Sequence, residues 1–234
     1  VFDLSITFSF LKLGTGYFPF SWNNDHQARI GLLNRKTNDG VIKWFSIDPC
    51  YFFHTVNAYE DERGNVIVDA MKYQKLFDED WNGPFTEFPP HLTRWSLNLS
   101  TGNASEQQLD DLPAEFPRMH PDLNGKVNRY GYSLGVGPGQ KPDFGRIIKY
   151  DFGKNTNEIY ELSEEMEGAE PVFIPAENQK SEDEGYLLLY VYNKESDKSD
   201  LVIFDAQSIQ SGPRATVKLP QRVPFGFHGS WVPA

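Results

Sequence analysis

Four side chains of the types found in metal sites recur at one relative position along the chain. Two are imidazoles and two are carboxylates, and each lies about twenty residues beyond an apolar stretch that ends in a turn. The side chains are those of His54, Glu115, Glu170 and His228. Imidazole is a common metal ligand, and a carboxylate that accepts a hydrogen bond from the second ring nitrogen sets its tautomer. A fold that brings equivalent positions together would therefore assemble metal ligands and their hydrogen-bonding partners.

The apolar stretches themselves form an irregular repeat. They are spaced 62, 55 and 54 residues apart, which is typical of a repeated four-stranded unit. The residues that align from one repeat to the next are Leu33, Trp95, Tyr150 and Phe204. In a β-propeller, equivalent positions of successive blades point towards the central axis. The repeat thus favours a propeller over a sandwich or a barrel.

Short strands separated by turn residues must position the four side chains. Apolar or alternating segments predict strands at 31–35, 41–47, 51–59, 66–70, 92–99, 129–134, 147–152, 158–160, 186–192 and 201–204. Turns are predicted at 38–40 (NDG) and at 62–65 (ERGN). Two short segments, 68–77 and 105–109, are predicted to be helical. The chain is therefore expected to be nearly all-β.

The amino-acid composition excludes some classes of function. The 234 residues include 33 acidic and 22 basic side chains, giving a net charge of −11, which argues against binding to nucleic acid. The chain has one cysteine, Cys50, so it has no internal disulfide framework and suits a reducing compartment. We expect a cytoplasmic protein that is soluble or lies peripherally on a membrane.

Four sequence blocks resemble those of the carotenoid cleavage oxygenase family. Block 53–60 (FHTVNAYE) resembles a histidine motif, and 115–118 (EFPR) with 129–132 (RYGY) resembles a Glu-Phe-Pro motif. Block 170–175 (EPVFIP) with 183–188 (DEGYLL) resembles a Glu-Pro motif, and 224–229 (PFGFHG) resembles the last histidine motif. The blocks occur in the family's order across nearly the whole chain, which makes the resemblance specific.

The resemblance implies a seven-bladed β-propeller with one Fe(II) per complete domain, held by four histidines. Such proteins use O₂ to cleave a conjugated C=C bond of a carotenoid, apocarotenoid or stilbene-type substrate, giving two carbonyl products. Carried over to this sequence, His54 and His228 would be the catalytic iron ligands. Glu115 would accept a hydrogen bond from His54, and Glu170 one from His228. Neutral imidazoles would leave the charge of the iron uncancelled and coordination positions open.

Half of the family's ligand set has no counterpart in this sequence. The first two histidines and the first glutamate of the family precede the position at which residue 1 would align, and His26, His91 and His120 match none of the ligand positions. We therefore expect residues 1–234 to be the C-terminal part of a single propeller domain, with about four blades. A missing N-terminal half or a complementing chain would supply the remaining ligands.

A lipophilic substrate requires an apolar route to the metal. Phe52, Phe53, Phe225 and Phe227 flank the two histidines and are candidates to line a substrate tunnel, although packing in the core is the alternative for each. Residues 7–20 are rich in aromatic and aliphatic side chains. They could form a peripheral membrane contact at the tunnel mouth, or a buried strand that packs between blades.

Two other functions remain open at this point. The chain could be a truncated or degenerate propeller that binds an apolar ligand without cleaving it. It could also be an isomerase-like member of the same family, which includes retinoid isomerohydrolases.

Overall fold

The computed structural model describes residues 1–37, 39–81, 87–137 and 143–232. Within these ranges the regular structure is almost entirely β-strand, which confirms the all-β prediction. The chain divides into two compact units, residues 1–111 and the described residues from 112 to 232. Asn38 of the predicted 38–40 turn lies outside the described residues.

The first unit consists of short strands joined mainly as hairpins. In chain order its elements are β1 (Phe2–Asp3), β2 (Ile6–Phe8), α1 (Phe10–Thr15), β3 (Phe20–Trp22), β4 (Arg29–Leu33), β5 (Ile42–Ser46), β6 (Thr55–Glu60), β7 (Asn65–Lys72), β8 (His91–Asn98) and the first part of β9 (Ala104–Arg118). β1, β4 and β5 form a sheet in that order, and β2 pairs with β3. β6, β7, β8 and β9 follow one another as a meander, the usual form of a propeller blade.

The predicted turn at 62–65 joins β6 to β7. Asp61 Oδ1 accepts hydrogen bonds from the backbone N–H groups of Arg63 and Asn65, at 2.9 and 2.8 Å. Gly64 has a φ of 77°, a left-handed conformation that glycine adopts without a steric penalty. The local sequence therefore sets this hairpin.

The two predicted helices are strands. The first half of 68–77 belongs to β7, which lies between β6 and β8 and is buried on both faces, and 105–109 belongs to β9. A strand that is buried on both faces gives a continuous apolar run, which periodicity alone cannot distinguish from a buried helix. The α-helix of the described residues is instead α1, which Ser9 caps by accepting a hydrogen bond from the Lys12 N–H group. No helix in the described ranges is long and apolar enough to span a membrane.

Aromatic and aliphatic side chains form the core of the first unit. The Phe52 ring packs against the Trp95 ring, and the Trp95 indole N–H donates to Glu106 Oε2 at 2.9 Å. Cys50 is fully buried in the same cluster, and this burial raises the pKa of its thiol to about 12. The single cysteine is therefore a core residue that stays protonated at neutral pH.

The second unit repeats the meander pattern. In chain order it contains the second part of β9, a 3-10 helix (Pro121–Leu123), β10 (Tyr130–Gly135), β11 (Arg146–Asp151), β12 (Thr156–Glu161), β13 (Met166–Gly168), β14 (Val172–Pro175), β15 (Gly185–Asn193), β16 (Lys198–Asp205), a second 3-10 helix (Ile209–Ser211) and β17 (Pro213–Lys218). β9, β10, β11 and β12 pair in that order. β13 and β14 both pair with β15, which is followed by β16 and β17.

Close packing explains several residues of the sequence blocks in this unit. Tyr132 and Phe173 stack with ring centroids 5.4 Å apart and an angle of 8° between their planes. Gly185 begins β15, and a Cβ at that position would lie 2.3 Å from the carbonyl oxygen of Ile174. Some residues of blocks 129–132, 170–175 and 183–188 are therefore explained by packing within one core.

A buried ion pair joins β7 to β8. Asp69 and Arg94 lie directly opposite each other, and the guanidinium donates two hydrogen bonds of 2.8 Å to a fully buried carboxylate. Its hydrogen bond to Asp69 raises the pKa of Arg94 above its already high usual value. Arg146 on β11 and Glu161 on β12 also lie directly opposite each other, but their ion pair is exposed.

Arg94→Leu should lower the free energy of unfolding by about 3–5 kcal/mol, because it leaves the Asp69 carboxylate buried without its cation. Arg146→Leu removes the exposed pair and should cost less than about 1 kcal/mol. Urea unfolding followed by tryptophan fluorescence measures both. Equal losses for the two variants would contradict the expectation that burial determines the cost.

Candidate functional site

The repeat found in the sequence corresponds to the strand order. Its aligned residues lie on β4, β8, β11 and β16, and the next strand along the chain, β5, β9, β12 or β17, pairs with each of them. Three candidate site residues lie beyond that next strand, and the fourth, Glu115, lies within it. His54 follows β5, Glu115 lies in the second part of β9, Glu170 lies between β13 and β14, and His228 follows β17.

The clearest contact at the site joins His228 to Glu170. The ring Nδ1 of His228 lies 3.0 Å from Oε1 of Glu170. The Glu170 side chain is 4% exposed, whereas the His228 side chain is 54% exposed. An ionised carboxylate can only accept hydrogen bonds, so this contact places the ring proton on Nδ1 and the lone pair of the neutral ring on Nε2. This is the arrangement that a histidine needs to bind a metal through Nε2.

The Glu170 carboxylate also holds the backbone beside the histidine. Its second oxygen, Oε2, accepts a hydrogen bond of 2.9 Å from the Gly229 N–H group. Arg118 Nη2 donates to the Gly229 carbonyl oxygen at 2.9 Å, and Arg118 Nη1 lies 3.7 Å from Glu170 Oε1. The Phe116 ring lies edge-on to the His228 ring, with centroids 6.3 Å apart. Three of the four sequence blocks therefore meet in the second unit.

Glu115 is positioned by an irregularity in β9. Glu115 pairs with Leu134 and Arg118 pairs with Tyr132, so two residues of β9 face one residue of β10. Phe116, within this bulge, has a φ of 54° and is followed by proline. A bulge of this kind redirects side chains beside a functional site. The Glu115 carboxylate is buried, and its Oε2 accepts a hydrogen bond of 2.8 Å from the Phe116 N–H group.

His54 lies in the first unit, immediately before β6. Its side chain is half-buried, and its backbone carbonyl accepts a hydrogen bond of 3.1 Å from the Met71 N–H group. A bulge at Val56 interrupts the pairing of β6 with β7 just after the histidine. His54 thus resembles Glu115 in lying beside a bulge.

The structure brings together one of the two predicted histidine–carboxylate pairs. Glu170 and His228 are in contact, as the sequence blocks predicted. The pairing of Glu115 with His54 would join residues of different units and stays a prediction. Among the described residues, no group of three or more His, Cys, Asp or Glu side chains is arranged to hold a metal ion.

The four candidate tunnel residues lie in different surroundings. Phe52 is buried in the core of the first unit, and Phe53 is partly exposed beside Tyr51 and Tyr73. Phe225 and Phe227 are exposed, and both line a groove of about 340 Å³ in the second unit. This groove also includes Glu170 and His228, and its walls come mainly from β14, β15, β16 and segment 223–231. The role of the four phenylalanines in a substrate tunnel stays a prediction.

A buried ion pair elsewhere in the second unit was not singled out from the sequence. Lys149 Nζ donates to Asp183 Oδ2 at 2.8 Å, and both side chains are buried. Burial acts to raise the pKa of Asp183, but the hydrogen bond and charge of Lys149 outweigh it and hold this pKa below its usual value. The only sequence signal was the position of Asp183 at the start of block 183–188. Lys149 gave none, because a buried lysine in a strand has no local pattern.

Comparison with known proteins defines the class and then the family. The sequence profile described as "RPE65: Retinal pigment epithelial membrane protein" matches residues 1–233. Solved structures of the Synechocystis apocarotenoid oxygenase superpose with a TM-score of 0.88 over all of this chain, at 28% identity for one variant and 27% for a cobalt-substituted form. The fold is therefore that of part of a β-propeller, as predicted. The chain belongs to the retinal pigment epithelial membrane protein family, which includes the carotenoid oxygenases.

Curated relatives agree with this assignment. A carotenoid cleavage oxygenase of Mycobacterium tuberculosis is 35% identical over 92% of this chain and 44% of its own length. An isoeugenol monooxygenase of Pseudomonas nitroreducens is 34% identical over 92% of this chain and 48% of its own length. A carotenoid 9,10(9',10')-cleavage dioxygenase 1 of Phaseolus vulgaris is 32% identical over 91% of this chain and 42% of its own length. The chain thus spans a little under half the length of these relatives.

Proposed function

We propose that the protein is a non-haem Fe(II)-dependent dioxygenase that cleaves a conjugated C=C bond of a carotenoid, apocarotenoid or stilbene-type substrate. The observation that carries this proposal is the contact between the buried Glu170 carboxylate and His228 Nδ1. Relatives named for carotenoid cleavage and for isoeugenol oxidation support oxygenase chemistry on a conjugated double bond. The reaction consumes O₂ and yields two carbonyl products.

The donor set of this chain fits iron. His228 would bind the metal through Nε2 while Glu170 orients the ring, and His54 would be a second imidazole ligand. The remaining ligands would come from an N-terminal half of the domain or from a complementing chain. Bound Fe(II) would supply the redox chemistry that activates O₂, with its charge left uncancelled by neutral ligands.

The groove beside His228 suits an apolar substrate. Its lining includes Leu188, Leu201, Phe225 and Phe227, with His228 among them. Apolar walls would bind a conjugated hydrocarbon by removing it from water and would keep water from the reacting bond. Aromatic rings next to the histidine would orient the double bond relative to the metal.

Substitution of either histidine should remove iron from the purified protein at the full length that its gene encodes. We expect about one iron per complete domain in the parent, with large losses in His54→Gln and His228→Gln. Glu170→Gln should weaken the apparent iron affinity by about ten- to a hundredfold, because a neutral amide replaces the charged carboxylate that orients the ring. Metal analysis and competition with an iron chelator measure these changes.

His91→Gln is the matched control, since His91 lies on β8 outside the proposed set. It should retain the iron content of the parent. A folded parent without iron, or a His228→Gln variant with the full iron content, would refute the metal site.

Labelling with ¹⁸O₂ should place label in both carbonyl products when the protein is incubated with a stilbene or an apocarotenoid. A dioxygenase incorporates both atoms of O₂, whereas a monooxygenase incorporates one. An isomerase-like member would incorporate none, and a binding propeller would form no product. Mass spectrometry performed before the carbonyl oxygens exchange with water distinguishes these outcomes, and label in a single carbonyl would contradict the proposal.

Residues 7–20 support a peripheral membrane contact of a cytoplasmic protein. Phe10 is 83% exposed and Leu11 is 71% exposed, both on α1, and Phe18 is half-exposed nearby in the sequence. Lys12 is instead buried, and its Nζ donates to the Phe77 carbonyl oxygen at 2.9 Å. An apolar surface of this kind is typical of proteins that dip into a bilayer, where a lipophilic substrate resides.

Phe10→Asp should weaken binding to phosphatidylcholine vesicles by roughly tenfold or more, because an exposed aromatic ring is replaced by a charge. Val127→Asp is the control, as Val127 is an exposed apolar residue of the second unit. Vesicle flotation measures both. Parent protein that does not float with vesicles, or equal losses for the two variants, would contradict the proposed contact.

A further inference from the structure

The segment that carries His228 has little regular structure of its own. β17 ends at Lys218, and the described residues from 219 to 232 contain no strand or helix. The two aromatic side chains nearest the histidine, Phe225 and Phe227, are mostly exposed. Packing against a core therefore contributes little to the position of this segment, and specific polar contacts must hold it.

Leu219, Gln221 and Val223 form hydrogen bonds with Ser199 at the start of the segment, and beside the histidine the polar contacts converge on Gly229. The N–H group of Gly229 donates to Glu170 Oε2, and the carbonyl oxygen of Gly229 accepts from Arg118 Nη2, each at 2.9 Å. Both polar groups of the residue after the histidine are thus used by a carboxylate and a guanidinium. Glycine suits this position, because a Cβ there would lie 3.3 Å from a methyl group of Val172.

Arginine has the geometry for this connection. Its planar guanidinium presents donors in a fixed fork, so one group can face two acceptors at once. Nη2 of Arg118 contacts the Gly229 carbonyl oxygen while Nη1 faces Glu170 Oε1 at 3.7 Å. A lysine at the same position has a single ammonium group and would be centred on one acceptor or the other.

The bulge in β9 determines the position of Arg118 relative to β10. Two residues, Phe116 and Pro117, face one residue of β10, and regular pairing resumes where Arg118 lies opposite Tyr132. The extra residue shifts Arg118, the last residue of β9, by one position and so changes the face on which its side chain lies. The same irregularity that precedes Arg118 also lies directly after Glu115.

We infer that Arg118 is a positioning residue, which holds Gly229 against Glu170 and so keeps the His228 ring with Nδ1 on the carboxylate and Nε2 as the proposed ligand atom. The clamp itself depends only on the contacts of the metal-free protein. What His228 then binds rests on the proposed function. Arg118 does not touch substrate in this assignment and acts through Glu170 and Gly229.

The metal-free protein at the full length that its gene encodes provides the first test. In Arg118→Met, amide hydrogen exchange in segment 219–232 should accelerate by about tenfold or more, because a charge-assisted hydrogen bond to the segment is lost. The ¹⁵N resonances of the His228 ring, assigned with His228→Gln, should change from a dominant Nδ1–H tautomer in the parent to a mixture. Arg118→Lys should show intermediate changes in both measurements.

Arg146→Met is the matched control, since Arg146 is an arginine of the same unit whose carboxylate partner is exposed. It should leave segment 219–232 and the His228 tautomer as in the parent. Unchanged exchange and an unchanged tautomer in Arg118→Met would overturn the inference, as would equal changes in Arg146→Met. Changes in Arg118→Met in a protein that binds no iron would support the clamp while refuting the proposed function.

Discussion

Glu170 is a carboxylate that is almost completely removed from water, and such a group must be surrounded by hydrogen-bond donors. The donors here are the His228 ring and the Gly229 backbone, with the Arg118 guanidinium nearby. One buried charge thereby determines the tautomer of a ring and the course of a segment without regular structure. Arg118, at the end of β9, joins the same network by donating a hydrogen bond to the Gly229 carbonyl oxygen. Removing the charge would leave each of these features without its main constraint.

Strand ends and bulges place the functional side chains. Interior strand positions in this fold are used for packing, as Trp95 on β8 and Phe204 on β16 show by their complete burial. His54 precedes β6 beside a bulge, and Glu115 lies at the bulge of β9. Bulges interrupt the regular alternation of side chains and can redirect one towards a site. The repeated sheets form a rigid framework, and the irregular positions carry the candidate functional side chains.

Much of the fold could be predicted because the repeat reflects strand order. Trp95, Tyr150 and Phe204 occupy equivalent, buried strand positions, although the fourth aligned residue, Leu33, is half-exposed at the end of β4. The segment 68–77 was wrongly predicted as helical because β7 is buried on both faces. The α1 helix was missed, since its six residues are too few for a periodic signal. Tertiary burial outweighed the local pattern in the first case, and the shortness of the helix hid it in the second.

The sequence by itself determined the family, the all-β class and the residue types of the site, because blocks such as 115–118 and 224–229 persist in order along the chain. It also indicated that Glu170 and His228 belong together. The tertiary structure decided how they meet, through a carboxylate that bridges a ring and a backbone amide. It alone revealed Arg118 as the third member of that contact. The reason is physical: residues 118, 170 and 229 are far apart in the chain, and only strand pairing and a bulge bring their polar groups within hydrogen-bonding distance.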